Sequence, residues 1–200
     1  MSISKVATLL RQGKKALPDL ELLKILQTEI RHHLYNKNEL TETLGDFVVD
    51  WSWPDDNNVT LRRKCESGEE IGVIAFVGQG TFVKGSLYPD IMVLIRKNGL
   101  RAPALLFDCT VLDEGKNKID DFRIQNAHYL KSGGWISSAY KAPVFSKLNP
   151  TLQQELKQYL ISRGISNSLF AFLLHHIHHK EQDMYLKWLQ KLEAMVMAET

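Results

Sequence analysis

Between residues 47 and 145 the chain has seven short, strand-like segments separated by mostly short polar turns, and in the segments 47–53 and 59–65 the side chains alternate with a period of two; this pattern limits the fold more than any other feature. A strand directs successive side chains to opposite faces of a sheet, so this period predicts strands. The turns between the segments are too short for the helical crossovers that parallel strands need. We therefore predict a meandering antiparallel sheet. Its seven strands are predicted at residues 47–53, 59–65, 71–77, 91–96, 104–111, 122–129 and 140–145.

Helical patterns flank the predicted sheet on both sides. Apolar residues spaced three or four apart mark one face of a helix. The first helix is predicted to begin near Asp19, and its stripe consists of Leu23, Leu26, Ile30 and Leu34, widened at its start by Leu22 and Ile25. The last helix is predicted from about Glu181, and its stripe consists of Tyr185, Leu189, Leu192 and Val196. We expect these two stripes to pair.

Two further helices are predicted between the sheet and the last helix. Asn149 is a suitable N-cap, Pro150 suits the first helical position, and Gly164 after Arg163 suits a left-handed cap. A short apolar helix is then expected from Ser168 to His179. The predicted fold class is α+β, a seven-stranded twisted antiparallel sheet flanked by N- and C-terminal helices, in a single domain over residues 19–200.

Residues 1–18 form a basic leader, with four of the 25 basic residues and none of the 23 acids. An acid-free, serine-containing basic segment is typical of a mitochondrial targeting sequence, and the alternative is a frayed terminus of a cytosolic protein. The rest of the chain has 21 basic against 23 acidic residues, a net charge of −2. This near-neutral charge argues against a role in bulk phosphate binding.

The two cysteines, Cys65 and Cys109, are far apart in the sequence and match no metal-binding spacing. This pattern argues against a disulfide framework and suits a reducing compartment. No apolar run approaches the roughly 20 residues that cross a bilayer, so no membrane span is expected.

The segment Gly78–Gly85, GQGTFVKG, follows a predicted strand and has some likeness to a phosphate-binding loop. No helical pattern follows it, and its spacing fits neither the Walker nor the dinucleotide fingerprint. We interpret it as a flexible connection between strands.

Four histidines, His175, His176, His178 and His179, form the most conspicuous cluster. His175 shares a helix face with His178 and with His179, a spacing that can hold zinc. A catalytic zinc site would need a third protein ligand and usually a general base, and no His-Glu-x-x-His pattern occurs. The other interpretation is a polar face near a helix C-terminus, where histidine favours the helix dipole.

Acids in the predicted sheet region have no recognisable catalytic partners. Alternation places Asp108 on the opposite side of its strand from Phe107 and Cys109, which predicts a solvent-facing carboxylate. Four more acids are predicted to lie solvated in a polar loop, and they are Asp113, Glu114, Asp120 and Asp121. Because no nucleophile, base and orienting group come together, we predict no enzyme activity, no catalytic or metal residues, no cofactor and no small-molecule substrate.

Arg62, Arg63 and Lys64 are the only basic run inside the predicted sheet. Alternation directs Arg63 to the other face from its two neighbours. Without interleaved aromatic residues, specific nucleic-acid recognition is weakly supported, and a solvated strand face is the preferred interpretation.

The order of these segments resembles the mitochondrial glycoprotein family, that of the matrix protein also described as a complement globular-head receptor, from about Leu20 to Val196. The resemblance is carried by LLKILQTEI in the first helix, by GDFVVDW, VTLRRKCESGEEIGVIAFVG, IMVLIRKNG, ALLFDCTV and DFRIQNAHYL in the sheet, and by the end of the chain. The most specific part is the Tyr159–Leu160 and Arg163–Ile165 junction with the stretch from Tyr185 to Leu192. The segments are most similar to those of plant members.

This resemblance implies a doughnut-shaped homotrimer in the mitochondrial matrix, with the first and last helices packed as a coiled coil. It also implies a non-catalytic scaffold or chaperone-like binder of several ligands that supports mitochondrial translation, ribosome assembly and oxidative phosphorylation. Well-known members are strongly acidic and have a long acidic loop between the third and fourth strands. Here the corresponding stretch, Gly78–Asp90, is short and contains one acid.

Two alternatives to the scaffold hypothesis remain from the sequence. One is an RNA-associated module that uses Arg62, Lys64 and the basic leader. The other is a zinc-dependent enzyme centred on the cluster from His175 to His179.

Overall fold

The computed structural model describes residues 19–34, 41–50, 58–83, 86–97, 103–113, 119–131 and 143–198. The predicted leader, residues 1–18, lies outside these ranges. The chain divides into two compact units. One, here called the sheet unit, extends from Leu40 to His178, and the other, the helical unit, combines the chain up to Glu39 with the chain from His179 onward. The predicted single domain over residues 19–200 stays a prediction.

The sheet unit contains a seven-stranded antiparallel sheet whose strands follow the chain order, as the period-two pattern predicted. Each strand pairs with the next one along the chain, which makes the sheet a simple meander. The strands are β1 Thr43–Leu44, β2 Phe47–Val49, β3 Asn58–Lys64, β4 Glu70–Val83, β5 Ser86–Arg96, β6 Ala104–Asp113 and β7 Ile119–Leu130.

Two predicted features of the sheet are wrong. The expected strand at 140–145 is absent from the described part of that segment, because residues 143–144 have no regular structure and a 3-10 turn, Phe145–Lys147, begins there. The seventh strand is instead the short β1. The supposed flexible connection at Gly78–Gly85 is strand as far as Val83, because β4 continues past an irregularity in register between Ala75 and Gly80.

One face of the sheet forms the core. Alternate residues of β3, β4, β5 and β6 lie on this face with almost no exposed surface, and they include Leu61, Val73, Val93 and Phe107. Burying such a side chain contributes about 1.5–3 kcal/mol. Phe170 completes the core by contacting Phe122 of β7 at 5.1 Å between ring centroids.

The described part of the chain has three α-helices. They are α1 at residues 19–34, α2 at Pro150–Ile161 and α3 at Asn167–Ala198. The predicted break between a helix ending at His179 and another beginning near Glu181 is wrong, because α3 is continuous through both. No helix among the described residues is long and apolar enough to cross a membrane.

The caps of α2 are confirmed. The Asn149 side chain accepts a hydrogen bond from the backbone N–H of Thr151 at 2.9 Å, and Pro150 is the first helical residue. At the other end Gly164 has φ +81°, and the N–H of Ile165 donates to the Leu160 carbonyl. This is the left-handed glycine arrangement that terminates many helices.

In the helical unit, α1 and the end of α3 contact each other through their apolar stripes. Leu26 and Ile30 are buried against Leu189, and Leu192 and Val196 pack around them. The remaining predicted stripe residues are more exposed: Leu23 is half-buried, while Leu22, Ile25 and Leu34 are exposed. The pairing of the two end helices is confirmed, and their coiled-coil geometry stays a prediction.

Candidate functional site

The second face of the sheet has the polar and charged side chains that could contact a ligand. Strand pairing places Val48, Arg62, Gly72, Leu94, Leu106 and His128 in one row across this face. A neighbouring row runs from Lys64 through Glu70 and Arg96 to Ala104. Along each strand, the residues of this face alternate with the residues of the buried core face, as the period of a strand requires.

A groove of about 470 Å³ lies on this face over Gly72, and we call it the Gly72 groove. A Cβ atom at Gly72 would meet only Leu94 Cβ, at 4.0 Å, so the missing side chain leaves open space. Six charged side chains line the groove, the acids Asp46 and Glu70 and the bases Arg62, Arg63, Lys64 and Arg96. Its apolar lining from the same face is Val48, Ile74 and Leu94.

The basic run of β3 divides between the two faces, as alternation predicted. Arg62 and Lys64 are exposed on the second face, and the Nε of Arg62 lies 2.5 Å from an Asp50 carboxylate oxygen. Arg63 is half-buried and pairs with Asp46 at 2.9 Å. All three basic residues of the run line the groove, with Arg62 and Lys64 exposed and Arg63 half-buried.

Arg63 belongs to a network that ties β3 to the end of α2. Its Nη1 donates to the Arg163 carbonyl at 3.1 Å. Arg163 pairs with Glu69 at 2.5 Å, and its guanidinium group lies 3.4 Å from the ring centroid of Tyr159. No local pattern predicts this network, because Glu69 and Arg163 are 94 residues apart. Its role is to hold the helix end on the sheet.

Asp108 is half-buried on the second face and is not simply solvated. Its Oδ2 accepts from the Asn126 amide at 3.1 Å and lies 3.0 Å from Nε2 of His128. Both partners come from β7, and the register that aligns them could not be read from the sequence. A carboxylate can orient a neighbouring imidazole so that it activates a nucleophile. The thiol next to Asp108 in the chain, that of Cys109, points to the opposite face of the sheet and is not placed to react with His128.

The Cys109 thiol is buried and chemically quiet. Burial, reinforced by the negative charge of Asp108, raises the pKa of the Cys109 thiol to about 12. Since the thiolate is the reactive form, this environment suits a structural cysteine.

Asp121 is the one predicted loop acid whose side chain the structure describes, and it is not free in a loop. It lies in β7 and pairs with Lys157 of α2 at 2.5 Å. Burial pushes the pKa of the Asp121 carboxyl upward, but hydrogen bonds from Lys157 and from its neighbour's backbone N–H outweigh this effect and hold the pKa below its usual value. Asp121 therefore stabilises the contact between sheet and helix.

The four histidines lie in the middle of α3, so the interpretation as a polar face near a helix C-terminus is wrong. His176 is buried, its Nδ1 lies 2.9 Å from the Phe172 carbonyl, and its ring contacts the Phe172 ring. His175 and His178 are exposed, and His179 lies 3.7 Å from Asp183. Over the described ranges, no three His, Cys, Asp or Glu side chains are arranged to hold a metal ion.

The helical unit exposes several large apolar side chains. Ile25 is 67% exposed, Trp188 53% and Met195 62%, and Tyr185 stacks on Trp188 with ring centroids 5.8 Å apart. Large contiguous exposed apolar surfaces are associated with interaction sites in soluble proteins. We treat these four residues, together called the helical apolar surface, as candidates for contact with another protein, because removing exposed apolar side chains from water favours association.

The fold defines a class of protein: a meander sheet with helices at both ends of the chain. Solved structures share this fold. A Leishmania major protein described as a sequence homologue of human p32 superimposes with a TM-score of 0.70 at 16% identity, and the Trypanosoma brucei p22 protein with 0.68 at 22% identity. Each match covers 90% of this chain and 99% of the other.

The family itself is identified from the sequence. Residues 81–196 match the mitochondrial glycoprotein family model. A relative from Schizosaccharomyces pombe, mitochondrial acidic protein mam33, is 31% identical over 104 residues, which take in 46% of this chain and 36% of the relative. The chain belongs to the mitochondrial glycoprotein family. The relative's name describes that protein as acidic, whereas this chain has a slightly basic net charge of +2.

Proposed function

We propose that this protein is a non-catalytic scaffold of the mitochondrial matrix that assembles as a homotrimer and binds other mitochondrial proteins. The observation that carries the proposal is the helical apolar surface, which exposes Ile25, Trp188 and Met195 on the unit built from both chain ends. Covering such a surface is a common reason for self-association. Family membership and the basic leader support the mitochondrial location.

The charge of the chain bears on which partners it would take. A strongly acidic ring would attract basic proteins by long-range steering, but the chain beyond the leader has a net charge of only −2. We propose that partners bind chiefly through apolar and short-range polar contacts. Support of mitochondrial translation, ribosome assembly and oxidative phosphorylation, in a chaperone-like role, belongs to this same proposal.

Crosslinking in isolated mitochondria tests the assembly and its partners together. We expect a ladder of crosslinked chains that ends at three copies, together with other mitochondrial proteins. The Ile25→Lys variant should lose the ladder, since a charge would be buried in the interface. Gln27→Lys is the matched control, because Gln27 is exposed in the same helix and receives the same new side chain. A wild-type protein recovered only as single chains would refute the proposal.

The RNA-associated alternative has one observation in its favour, since Arg62, Lys64 and Arg96 line one groove. Single-stranded nucleic acids are bound by a positive groove with aromatic side chains on which bases stack. The described lining of the Gly72 groove contains no aromatic residue. A zinc-dependent enzyme at the histidine cluster has no supporting geometry in the described ranges.

A further inference from the structure

The Gly72 groove has the shape of a ligand site rather than of a flat strand face. Its volume of about 470 Å³ lies within the roughly 300–1,000 Å³ of small-molecule sites. The space exists because β4 has glycine where its neighbours in the row, Arg62 and Leu94, have long side chains. Glycine inside a strand weakens it and often marks a place where another group approaches closely.

Among the described residues, two cations of the groove have no ion-pair partner. Arg62 is paired with Asp50, but within the described residues neither Lys64 nor Arg96 makes an ion pair or a side-chain hydrogen bond. Lys64 and Arg96 flank Glu70 in one row, so this end of the groove has an excess of positive charge. An anion placed there would receive charge-assisted hydrogen bonds.

The other end of the groove is apolar. Ile74 is buried at 5% exposure and Leu94 at 9%, and Val48 forms the side toward β2. From Glu70 to Ile74 is four residues along β4, which is roughly 13 Å at the rise of a strand. The groove therefore runs from a cationic end to an apolar end over the length of a short alkyl chain.

We propose that the Gly72 groove binds a small amphiphilic anion, with its phosphate or carboxylate head at Lys64 and Arg96 and its alkyl body over Gly72 against Ile74 and Leu94. This site is separate from the helical apolar surface and goes beyond the proposed scaffold function. Occupancy of the groove would make the scaffold responsive to an anionic metabolite or lipid-like molecule of this chemistry.

Calorimetric titration of the full-length protein tests the site with defined probes below their micelle-forming concentrations. Octyl phosphate and octanoate present the two head groups, octanol is the uncharged control, and a twelve-residue oligouridine represents RNA. We expect saturable one-to-one binding of at least one octyl anion, with octanol at least about tenfold weaker, since a charge-assisted hydrogen bond is worth that factor or more. The tighter of the two anions identifies the head group.

Variants separate the site from general charge effects. Gly72→Val should abolish anion binding by filling the floor while keeping or raising the Tm, because valine favours strands and its Cβ has room. Arg96→Gln and Lys64→Gln should each weaken binding about tenfold, and Glu70→Gln should tighten it. The matched control is Arg123→Gln, an exposed arginine of the same sheet outside the groove, which should leave binding unchanged.

Three results would overturn the proposal. They are equal binding of octanol and octanoate, anion binding that Gly72→Val and Arg96→Gln leave intact, and tight binding of oligouridine in place of the octyl anions. The oligomeric state is measured on the same samples. A trimer without anion binding would reject only the groove, while a monomer that binds the anion would reject only the proposed assembly.

Discussion

Asp121 is a residue whose ionisation connects the sheet to α2. Its pKa in the folded protein is lowered by Lys157, the Phe122 backbone N–H and Arg123, despite the opposing effect of burial. A carboxyl with a lowered folded pKa contributes stability above its unfolded pKa and loses that contribution as the pH falls through the folded value. Asp121 therefore belongs to the groups that make this protein less stable in acid.

We predict that Asp121→Asn reduces the loss of stability between pH 5 and pH 3, because the variant has no carboxylate to protonate. The measurement is urea unfolding across this pH range, followed by circular dichroism. The control is Asp46→Asn, since the ion-pair partner of Asp46 is Arg63 of β3, whereas that of Asp121 is Lys157 of α2. If Asp121→Asn loses as much stability between pH 5 and pH 3 as the wild type does, the role of Asp121 in acid sensitivity is contradicted.

The two cysteines should differ in reactivity at the residue scale. Cys109 is buried with a thiol pKa of about 12, whereas Cys65 is partly exposed. We predict that a chromogenic disulfide reagent at pH 8 modifies one thiol per native chain promptly and the second only after unfolding in urea. The Cys65→Ser variant should show no prompt reaction. Prompt modification of both thiols in native wild type would show that the β6 core is open.

At the scale of elements, Gly164 controls the junction between α2 and α3. Its φ of +81° is strained for other residues, and a Cβ would meet Arg63 Nη1 at 3.0 Å and Phe47 Cε2 at 3.2 Å. Gly45 also has positive φ, at +58°, but a Cβ there would meet nothing within 4 Å. Substitutions at these two glycines therefore separate the cost of backbone strain, present at both, from the cost of side-chain crowding, present only at Gly164.

We predict that Gly164→Ala destabilises the protein by about 2–3 kcal/mol and Gly45→Ala by about 1 kcal/mol. The smaller cost is that of a left-handed conformation alone, and the larger adds displacement of the Arg63 and Phe47 side chains. The free energies of unfolding of both variants are measured by chemical denaturation and compared at the same dependence on denaturant concentration. Equal losses of stability would mean that the space around Gly164 is not tight.

Local signals were sufficient to predict most elements. The caps at Asn149 and Gly164 depend on neighbouring residues only, and they are confirmed. The prediction of a strand at 140–145 did not take Pro143 into account, and proline has no backbone N–H to donate a hydrogen bond to a neighbouring strand. The predicted break in α3 neglected the absence of glycine and proline from Asn167 to Ala198, which left nothing to end the helix.

The candidate sites were less predictable, because they depend on strand register. Arg62 and Lys64 were identified in the sequence, but their proximity to Arg96 follows from pairing across β4. The pair of Asp108 and His128 also depends on register, here beside an irregularity between Asp108 and Cys109. A hydrophobic pattern fixes which face a residue occupies but gives no position along a neighbouring strand without knowledge of the turns.

At the scale of the whole molecule, the account rests on self-association through the helical unit. The apolar stripes of α1 and α3 bury each other at Leu26, Ile30 and Leu189. Ile25, Trp188 and Met195 remain exposed in the single chain. Their burial against other copies would join the chains.

Light scattering of the purified, untagged protein across micromolar concentrations tests this claim most directly. The account predicts a mass three times that of the 22.9 kDa chain, and a single-chain mass for Trp188→Glu with unchanged β-sheet circular dichroism. A wild-type protein that stays at the mass of one chain throughout this range would contradict it.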